Sequence, residues 1–211
     1  MSGGPEKETS RVEAFSDGVF AIAITLLILD VRVPRPPADA AVPFDLRHEL
    51  LYLWPALVAY VMGFTIILVM WVSHHRIFNM IQRIDRPFLF WNGLLLMLVT
   101  FVPFPTALLA EYMGEGTREQ LRLAAMVYAG HGVLISIAFT IVWRYATSGN
   151  RLIPDRWDEH VRVLSARNRW GPVAYLIALI AAVFEPWAGI GICFAMVIYF
   201  ALEGLTMGSE A

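Results

Sequence analysis

Long uncharged runs alternate with short charged clusters along this chain. Three such runs lie between charged residues, at Leu50–His75, Pro87–Ala110 and Leu123–Trp143. A helix rises about 1.5 Å per residue, so roughly 20 apolar residues cross the hydrocarbon core of a bilayer. The pattern therefore predicts three membrane-spanning helices, over about residues 50–75, 87–110 and 121–145.

A further apolar stretch near the C-terminus is interrupted once. Residues 170–184 and 187–202 are uncharged, and Glu185 and Pro186 separate them. One continuous helix over both would be about 50 Å long, well beyond the hydrocarbon core. Because proline disfavours helix at the residue before it, the chain is expected to break there. The pattern predicts a hairpin of two short spans, at 170–185 and 187–205.

The first apolar segment, predicted as a span over residues 12–31, is short and has charged neighbours. Only the 12 residues from Gly18 to Leu29 are uncharged, and Asp17 and Asp30 flank them. A charge in the hydrocarbon core costs about 2.5–3.5 kcal/mol or more. We therefore expect protein or water, rather than lipid, to surround much of this helix.

One face of this first helix carries branched apolar side chains. At about 100° per residue, Ile22, Leu26 and Leu29 fall on one stripe, and Thr25 lies to one side of Ile22. The stripe has two interpretations. It packs against neighbouring helices, or it lines a pore as a hydrophobic constriction that gates by dewetting.

Together these segments predict an all-α integral membrane protein with six transmembrane helices in a single domain over residues 1–211. Composition agrees, because 58% of the residues are hydrophobic and 16% are charged, against about 25% charged in soluble domains. Eleven of the 16 Lys and Arg residues fall on the side of the N-terminus and five on the other side. The positive-inside rule thus predicts that both termini are cytoplasmic.

The sequence lacks the motifs of several functional classes. It has no Walker A, Gly-x-Ser-x-Gly or His-Glu-x-x-His motif, so we expect no enzyme, no catalytic residue, no metal site and no cofactor. A net charge of -2 provides no basic patch for nucleic acid. The chain also lacks a TVGYG-like segment, so potassium selectivity could not arise from rings of backbone carbonyls of that kind.

Polar residues inside the predicted spans need partners. Ser16 and Asp17 either cap the start of a helix or belong to a buried network, in which Asp17 pairs with Arg76, His74 or His75. Mid-span residues Asn92 and His131 are expected to form hydrogen bonds across helices. An alternative function is a proton- or cation-coupled secondary transporter, with a relay formed by Asp17, His131 and Glu185.

Three motifs in the first half of the chain resemble those of the transmembrane protein 175 family. The first is Arg11-x-x-x-Phe15-Ser16-Asp17-Gly18 followed by Val19–Leu27; the second is Trp71-x-x-His74-His75-Arg76-x-Phe78; the third is Phe101–Thr106. Members of this family are potassium-permeable channels, lysosomal in animals and also present in prokaryotes. The later helices resemble the family only in number and length.

The resemblance implies a six-helix subunit whose first helix lines a central pore. Because this chain has one six-helix unit, the resemblance implies a homotetramer. The positions of the pore constriction in the family map to Ile22, Leu26 and Leu29, and a position linked to selectivity maps to Thr25. The structural polar network of the family maps to these residues: Arg11, Ser16, Asp17, Trp71, His74, His75 and Arg76. Which of the two histidines takes part is left open.

The stripe found from helical period and the constriction implied by the resemblance are the same residues. We therefore expect a passive cation channel of the bacterial plasma membrane that favours potassium. Its partners are further copies of the chain, membrane lipid and permeant monovalent cations, with potassium as the permeant species. A hydrophobic ring offers no ligands to replace ion hydration, so the preference for potassium over sodium should be modest.

Overall fold

The computed structural model describes residues 5–36, 44–150, 152–154, 157, 161–162, 164–165 and 170–206. All regular secondary structure in these ranges is helical, which agrees with the all-α prediction. The α-helices are α1 Pro5–Leu26, α2 Leu46–Tyr52, α3 Trp54–Met80, α4 Arg86–Phe101, α5 Pro103–Gly114, α6 Arg118–Thr147, α7 Trp170–Phe184 and α8 Pro186–Thr206. Short 3-10 turns extend α1 over Leu27–Asp30 and α6 over Ser148–Asn150.

Within the part of the chain that the structure describes, four stretches are long and apolar enough to cross a bilayer. They are Glu8–Asp30, Trp54–Met80, Arg86–Gly114 and Arg118–Thr147. Two shorter apolar helices follow, at Trp170–Phe184 and Pro186–Leu202. The helices extend beyond several predicted bounds, because polar residues just outside the hydrocarbon core also favour helix. Six spans remain a prediction that counts both short helices.

Side chains at helix ends stop and start the long helices. Asp85 follows α3 and caps α4, since its Oδ1 accepts from the backbone N–H of Phe88 at 3.0 Å. Its other oxygen accepts from the Tyr145 hydroxyl at 2.7 Å, which ties the α3–α4 turn to α6. At the start of α6, Thr117 and Gln120 form a reciprocal capping box. These caps fix where the chain reverses between spans.

Prolines divide the third span into α4 and α5 at Val102. Pro103 and Pro105 have no backbone N–H to donate to carbonyls in the preceding turn. The Val102 carbonyl accepts from both the backbone N–H and the hydroxyl of Thr106, at 3.3 Å and 2.8 Å. The division between α4 and α5 thus coincides with the two prolines, and a side-chain hydrogen bond adds to the backbone bond at this point.

Two apolar clusters form the core. One joins α1, α3, α4 and the second half of α6, and the other joins α3, α5, α6, α7 and α8. In the second cluster helices approach closely at glycine: a Cβ on Gly189 would lie 2.6 Å from Ala182 Cβ, and one on Gly132 would lie 2.3 Å from the Tyr175 ring. Small residues of this kind let helix backbones meet where apolar area alone gives little driving force in lipid.

Contacts between helix ends show that successive spans run in opposite directions. At one end, which we name the N-terminal end, His75 near the end of α3 lies 3.0 Å from Glu13 near the start of α1. At the other end, Arg118 at the start of α6 forms an ion pair with Glu185 between α7 and α8. The break at Glu185 is the one expected from the Glu-Pro pair.

Candidate pore face and its polar support

Helix α1 has two distinct faces. The face toward α3 and α4 carries Ser16, Phe20, Ala23 and Leu27, all at most 1% exposed. These positions recur at intervals of four, three and four residues, which keeps them on one side of the helix. The buried face therefore fixes the rotation of α1 and decides which side chains point away from the subunit.

The opposite face of α1 carries the predicted constriction residues. Ile22 is 59% exposed, Leu29 is 72% exposed and Leu26 is 42% exposed. Thr25 is also exposed, and its hydroxyl donates to the carbonyl of Ile22 at 2.9 Å. The hydroxyl oxygen of Thr25 retains acceptor capacity, whereas the three apolar side chains offer a cation no ligand. The single chain leaves this whole stripe uncovered.

A line of buried hydrogen bonds lies behind the exposed stripe and joins three helices. Nδ2 of Asn92 on α4 donates to Ser16 Oγ at 3.0 Å, and the Ser16 hydroxyl donates to the Val12 carbonyl at 2.9 Å. The Asn92 carbonyl oxygen lies 2.9 Å from Nε2 of His74 on α3. Ser16, Asn92 and His74 are all at most 2% exposed, so each polar group needs this partner.

This line settles which histidine lies inside the bundle. With the Asn92 carbonyl as acceptor, His74 donates from Nε2. Among the described residues its buried Nδ1 has no hydrogen-bond partner, and the rings of Phe20 and Phe78 lie 5.2 Å and 4.4 Å away. Neutral His74 fits this apolar cage, since a second ring proton would add an unpaired charge.

Asp17 is bonded to an indole. Trp71 Nε1 donates to Asp17 Oδ1 at 2.9 Å, a partner that the set of Arg76, His74 and His75 did not include. An indole N–H on the facing helix is a direct donor to a carboxylate. Pairing of Asp17 with Arg76, His74 or His75 stays a prediction. The Trp71 ring also stacks on His75, with centroids 5.9 Å apart.

The two arginines of the predicted network occupy different places. Arg11 lines an open groove of about 440 Å³ between α1 and α4, together with Phe15 and Gly93. Arg76 follows His75 on α3 and is half-buried. Membership of both arginines in the polar network stays a prediction.

The three residues of the transporter alternative each have a different partner. Asp17 binds Trp71 at the N-terminal end, and Glu185 binds Arg118 at 2.5 Å at the opposite end. His131 lies between them along the bundle, packed on the Phe101 ring at 5.4 Å and on the backbone of Leu98. The expected contact of His131 across helices is therefore present, and none of these contacts joins the three residues.

Two participants were not assigned to the network from sequence. Asn92 was expected to bond across helices, but its place between Ser16 and His74 depends on how α1, α3 and α4 pack. Glu13 precedes Asp17 by four residues and shares its face of α1, but the sequence did not single it out. Its Oε1 lies 3.0 Å from His75 Nδ1. The spacing of about one helical turn between Glu13 and Asp17 could have indicated that both contact the same neighbouring helix. In the described part of the chain, no group of three or more His, Cys, Asp or Glu could hold a metal ion.

Comparisons with known proteins cover all of these residues. The family model described as endosomal/lysosomal potassium channel TMEM175 matches residues 11–103. A potassium channel of Chamaesiphon minutus is 50% identical over 205 residues, covering 96% of this chain and 98% of that protein. One of Streptomyces collinus is 48% identical over 151 residues, covering 72% and 70%. The crystal structure of a lysosomal potassium-selective channel TMEM175 homolog from Chamaesiphon minutus matches with a TM-score of 0.82 at 49% identity, covering 94% of this chain and 98% of that one.

Proposed function

The chain belongs to the TMEM175 family of potassium channels, and from this premise we propose that it forms a passive, potassium-permeable pore lined by the exposed face of α1. It is a multi-pass membrane protein. Its relatives in Chamaesiphon and Streptomyces, named as potassium channels, support a potassium-permeable channel. We place it in the bacterial plasma membrane with six spans and both termini in the cytoplasm.

The observation that carries the proposal is the division of α1 into two faces. Its buried face packs on α3 and α4, and its outer face leaves Ile22 and Leu29 more than half exposed. Carboxylates at Asp17 and Asp30 flank the uncharged stretch of this helix, which argues against lipid along its whole length. An assembly that places α1 around a common axis would cover the stripe and provide water to its charged ends.

Four copies around such an axis would stack rings of Ile22, Leu26 and Leu29. A ring of apolar side chains excludes water when it is narrow, and a dry ring is a barrier to a hydrated ion. We assign the narrowest point to Ile22. Thr25 lies three residues after Ile22 on α1 and contributes the polar atoms nearest this ring. It is our candidate for the residue that gives the modest preference for potassium over sodium.

A coupled secondary transporter is the alternative. Its relay would need a path between Asp17, His131 and Glu185, and each of these is bound to a different helix. Transporters of this kind also tend to carry internal repeats and broken central helices. Helix α1 is continuous as α-helix to Leu26 and as a 3-10 turn to Asp30, so the channel is the better-supported function.

Planar-bilayer recording of the purified protein tests the proposal. With potassium on one side and sodium on the other, a channel gives discrete unitary currents. Its reversal potential is shifted from zero toward the potassium equilibrium potential. Native mass spectrometry in detergent should show assemblies of four 23.7 kDa chains. Smooth, saturating currents without unitary steps would favour the transporter, and a monomer as the only species would remove the pore.

A further inference from the structure

The break between α4 and α5 redirects one backbone N–H. In a continuous α-helix the N–H of Val102 would donate to the carbonyl of Leu98, four residues earlier. Here it donates to the Val99 carbonyl at 3.1 Å. That carbonyl is open to it because Pro103 has no N–H to donate there. The Leu98 carbonyl thus loses the donor of a continuous helix, and a carbonyl at membrane depth needs another.

His131 on α6 supplies this donor. Its side chain is buried and forms a hydrogen bond with the Leu98 backbone. The N–H of Leu98 lies inside α4, so its carbonyl is the group that accepts. Among the described residues Nε2 of His131 is buried without a hydrogen-bond partner, so the donor is Nδ1. The bond that α4 gives up at its end is therefore replaced by one from another helix.

Helix α5, which follows the break, reaches the C-terminal end of α1. It contacts the 3-10 turn Leu27–Asp30. Both elements meet α3 at Gly63, where an added Cβ would lie 3.0 Å from Leu27 Cδ2 and 3.1 Å from Thr106 Cγ2. Leu27 and Thr106 are also buried, so neither side chain has free space beside it. The direction in which α5 leaves the break thereby fixes where this end of α1 lies.

We propose that His131 is a positioning residue for the part of the pore formed by Leu26 and Leu29. This inference rests on the proposed function, because those two residues line the proposed pore. The bond from His131 to Leu98 keeps the break in one arrangement. Without it, the N–H of Val102 is shared between two carbonyls of α4, and each choice gives α5 a different direction. The end of α1 then follows α5.

The hydrogen bond has to be separated from the packing of the ring. The ring of His131 lies 5.4 Å from that of Phe101 at the end of α4, so loss of the ring would disturb the break by itself. His131→Phe keeps a ring and removes the donor. His131→Asn removes the ring and keeps an amide N–H near the position of Nδ1. The two variants therefore alter one property each.

Unitary recording in symmetric potassium tests the positioning role. His131→Phe should populate additional conductance levels, with an occupancy about two- to thirtyfold above wild type, the range for residues that bias a two-state element. His131→Asn should keep the wild-type levels. A residue needed only for folding would change the number of channels and not their levels. Wild-type levels in His131→Phe, or equal changes in both variants, would overturn the proposal.

A double-mutant cycle with Pro103→Ala tests whether the bond compensates for the proline. Alanine restores an N–H that can donate to Val99, which frees the N–H of Val102 to return to Leu98. His131→Phe should therefore lower the melting temperature in detergent less in the Pro103→Ala background than in wild type. An equal fall in both backgrounds would mean that His131 acts through packing, against the proposal.

Thr100→Val is the matched control. The Thr100 hydroxyl also donates to a carbonyl of α4, that of Met97 at 2.8 Å, but it is exposed and bonds within its own helix. This variant should keep the wild-type conductance levels, and new levels in it would remove the special role of His131. Absence of any wild-type current would instead overturn the proposed function, and the melting cycle would still decide whether His131 compensates for Pro103.

Discussion

Asn92 links the proposed pore helix α1 to α3 by hydrogen bonds. Its amide donates to Ser16 on α1 and accepts from His74 on α3, and all three side chains are buried. An asparagine can do this because it presents a donor and an acceptor on one planar group. It thereby fixes α1 relative to two neighbours without placing a charge inside the bundle.

Asn92→Leu should destabilise the protein, because it leaves the His74 N–H buried without its acceptor and removes the donor to the Ser16 oxygen, whose hydroxyl keeps its bond to the Val12 carbonyl. A buried group left unsatisfied costs about 1–3 kcal/mol, although interhelical hydrogen bonds in membranes average only about 0.6 kcal/mol. Thermal unfolding in detergent should show a lower melting temperature. Asn79→Leu, at an exposed position on α3, is the control and should have little effect. Equal melting of both variants would show that the line of hydrogen bonds adds nothing.

At the scale of helices, the hydropathy pattern was sufficient to locate the long apolar helices of the described residues, and the count of six spans stays a prediction. The hydrocarbon core requires roughly 20 apolar residues for a crossing helix, and runs of this length are visible in the sequence. The faces of α1 were also predictable, because period alone places Ile22, Leu26 and Leu29 on one stripe and Leu27 about 140° from Ile22. The pairing of helices was not readable, since Trp71 as the partner of Asp17 and Asn92 as the link to His74 depend on which helices meet and at what height.

Helices α7 and α8 show how closely two short helices can pack. Gly189 faces α7, where a Cβ would lie 2.6 Å from Ala182 Cβ and 3.0 Å from the Ala178 carbonyl oxygen. Gly191, two residues further along the same helix, has open space around the corresponding position. Both glycines lie in helix α8, and they differ in whether a residue of another helix is within contact distance of an added Cβ.

Gly189→Ala should therefore force α7 and α8 apart and lower the melting temperature. Gly191→Ala should be neutral or slightly stabilising, since alanine favours helix over glycine by about 1 kcal/mol. Because both variants gain the same propensity, the difference between their melting temperatures isolates the packing. Stability of Gly189→Ala equal to that of Gly191→Ala would contradict close packing of this hairpin.

At the scale of the whole molecule, the core is buried but one face of α1 is not. The two apolar clusters consist of buried residues, whereas the α1 stripe is exposed and two charged residues flank it. The number of copies that would cover this stripe does not follow from the sequence of one chain. The proposed ring of Ile22 would form only in an assembly, which is why residue chemistry alone left packing and pore lining as two interpretations of the same residues.

The unitary conductance of Ile22→Asn compared with wild type tests the central claim most directly. Asparagine at the ring adds hydrogen-bonding groups and admits water, so the account predicts a larger unitary current and weaker discrimination between potassium and sodium. Leu27→Asn is the control, because Leu27 is 1% exposed, lies on the opposite face of α1 and packs beside Gly63. It should reduce the number of channels and leave the unitary current of those that assemble unchanged. A unitary current in Ile22→Asn equal to that of wild type would contradict the assignment of this face of α1 as the wall of the pore.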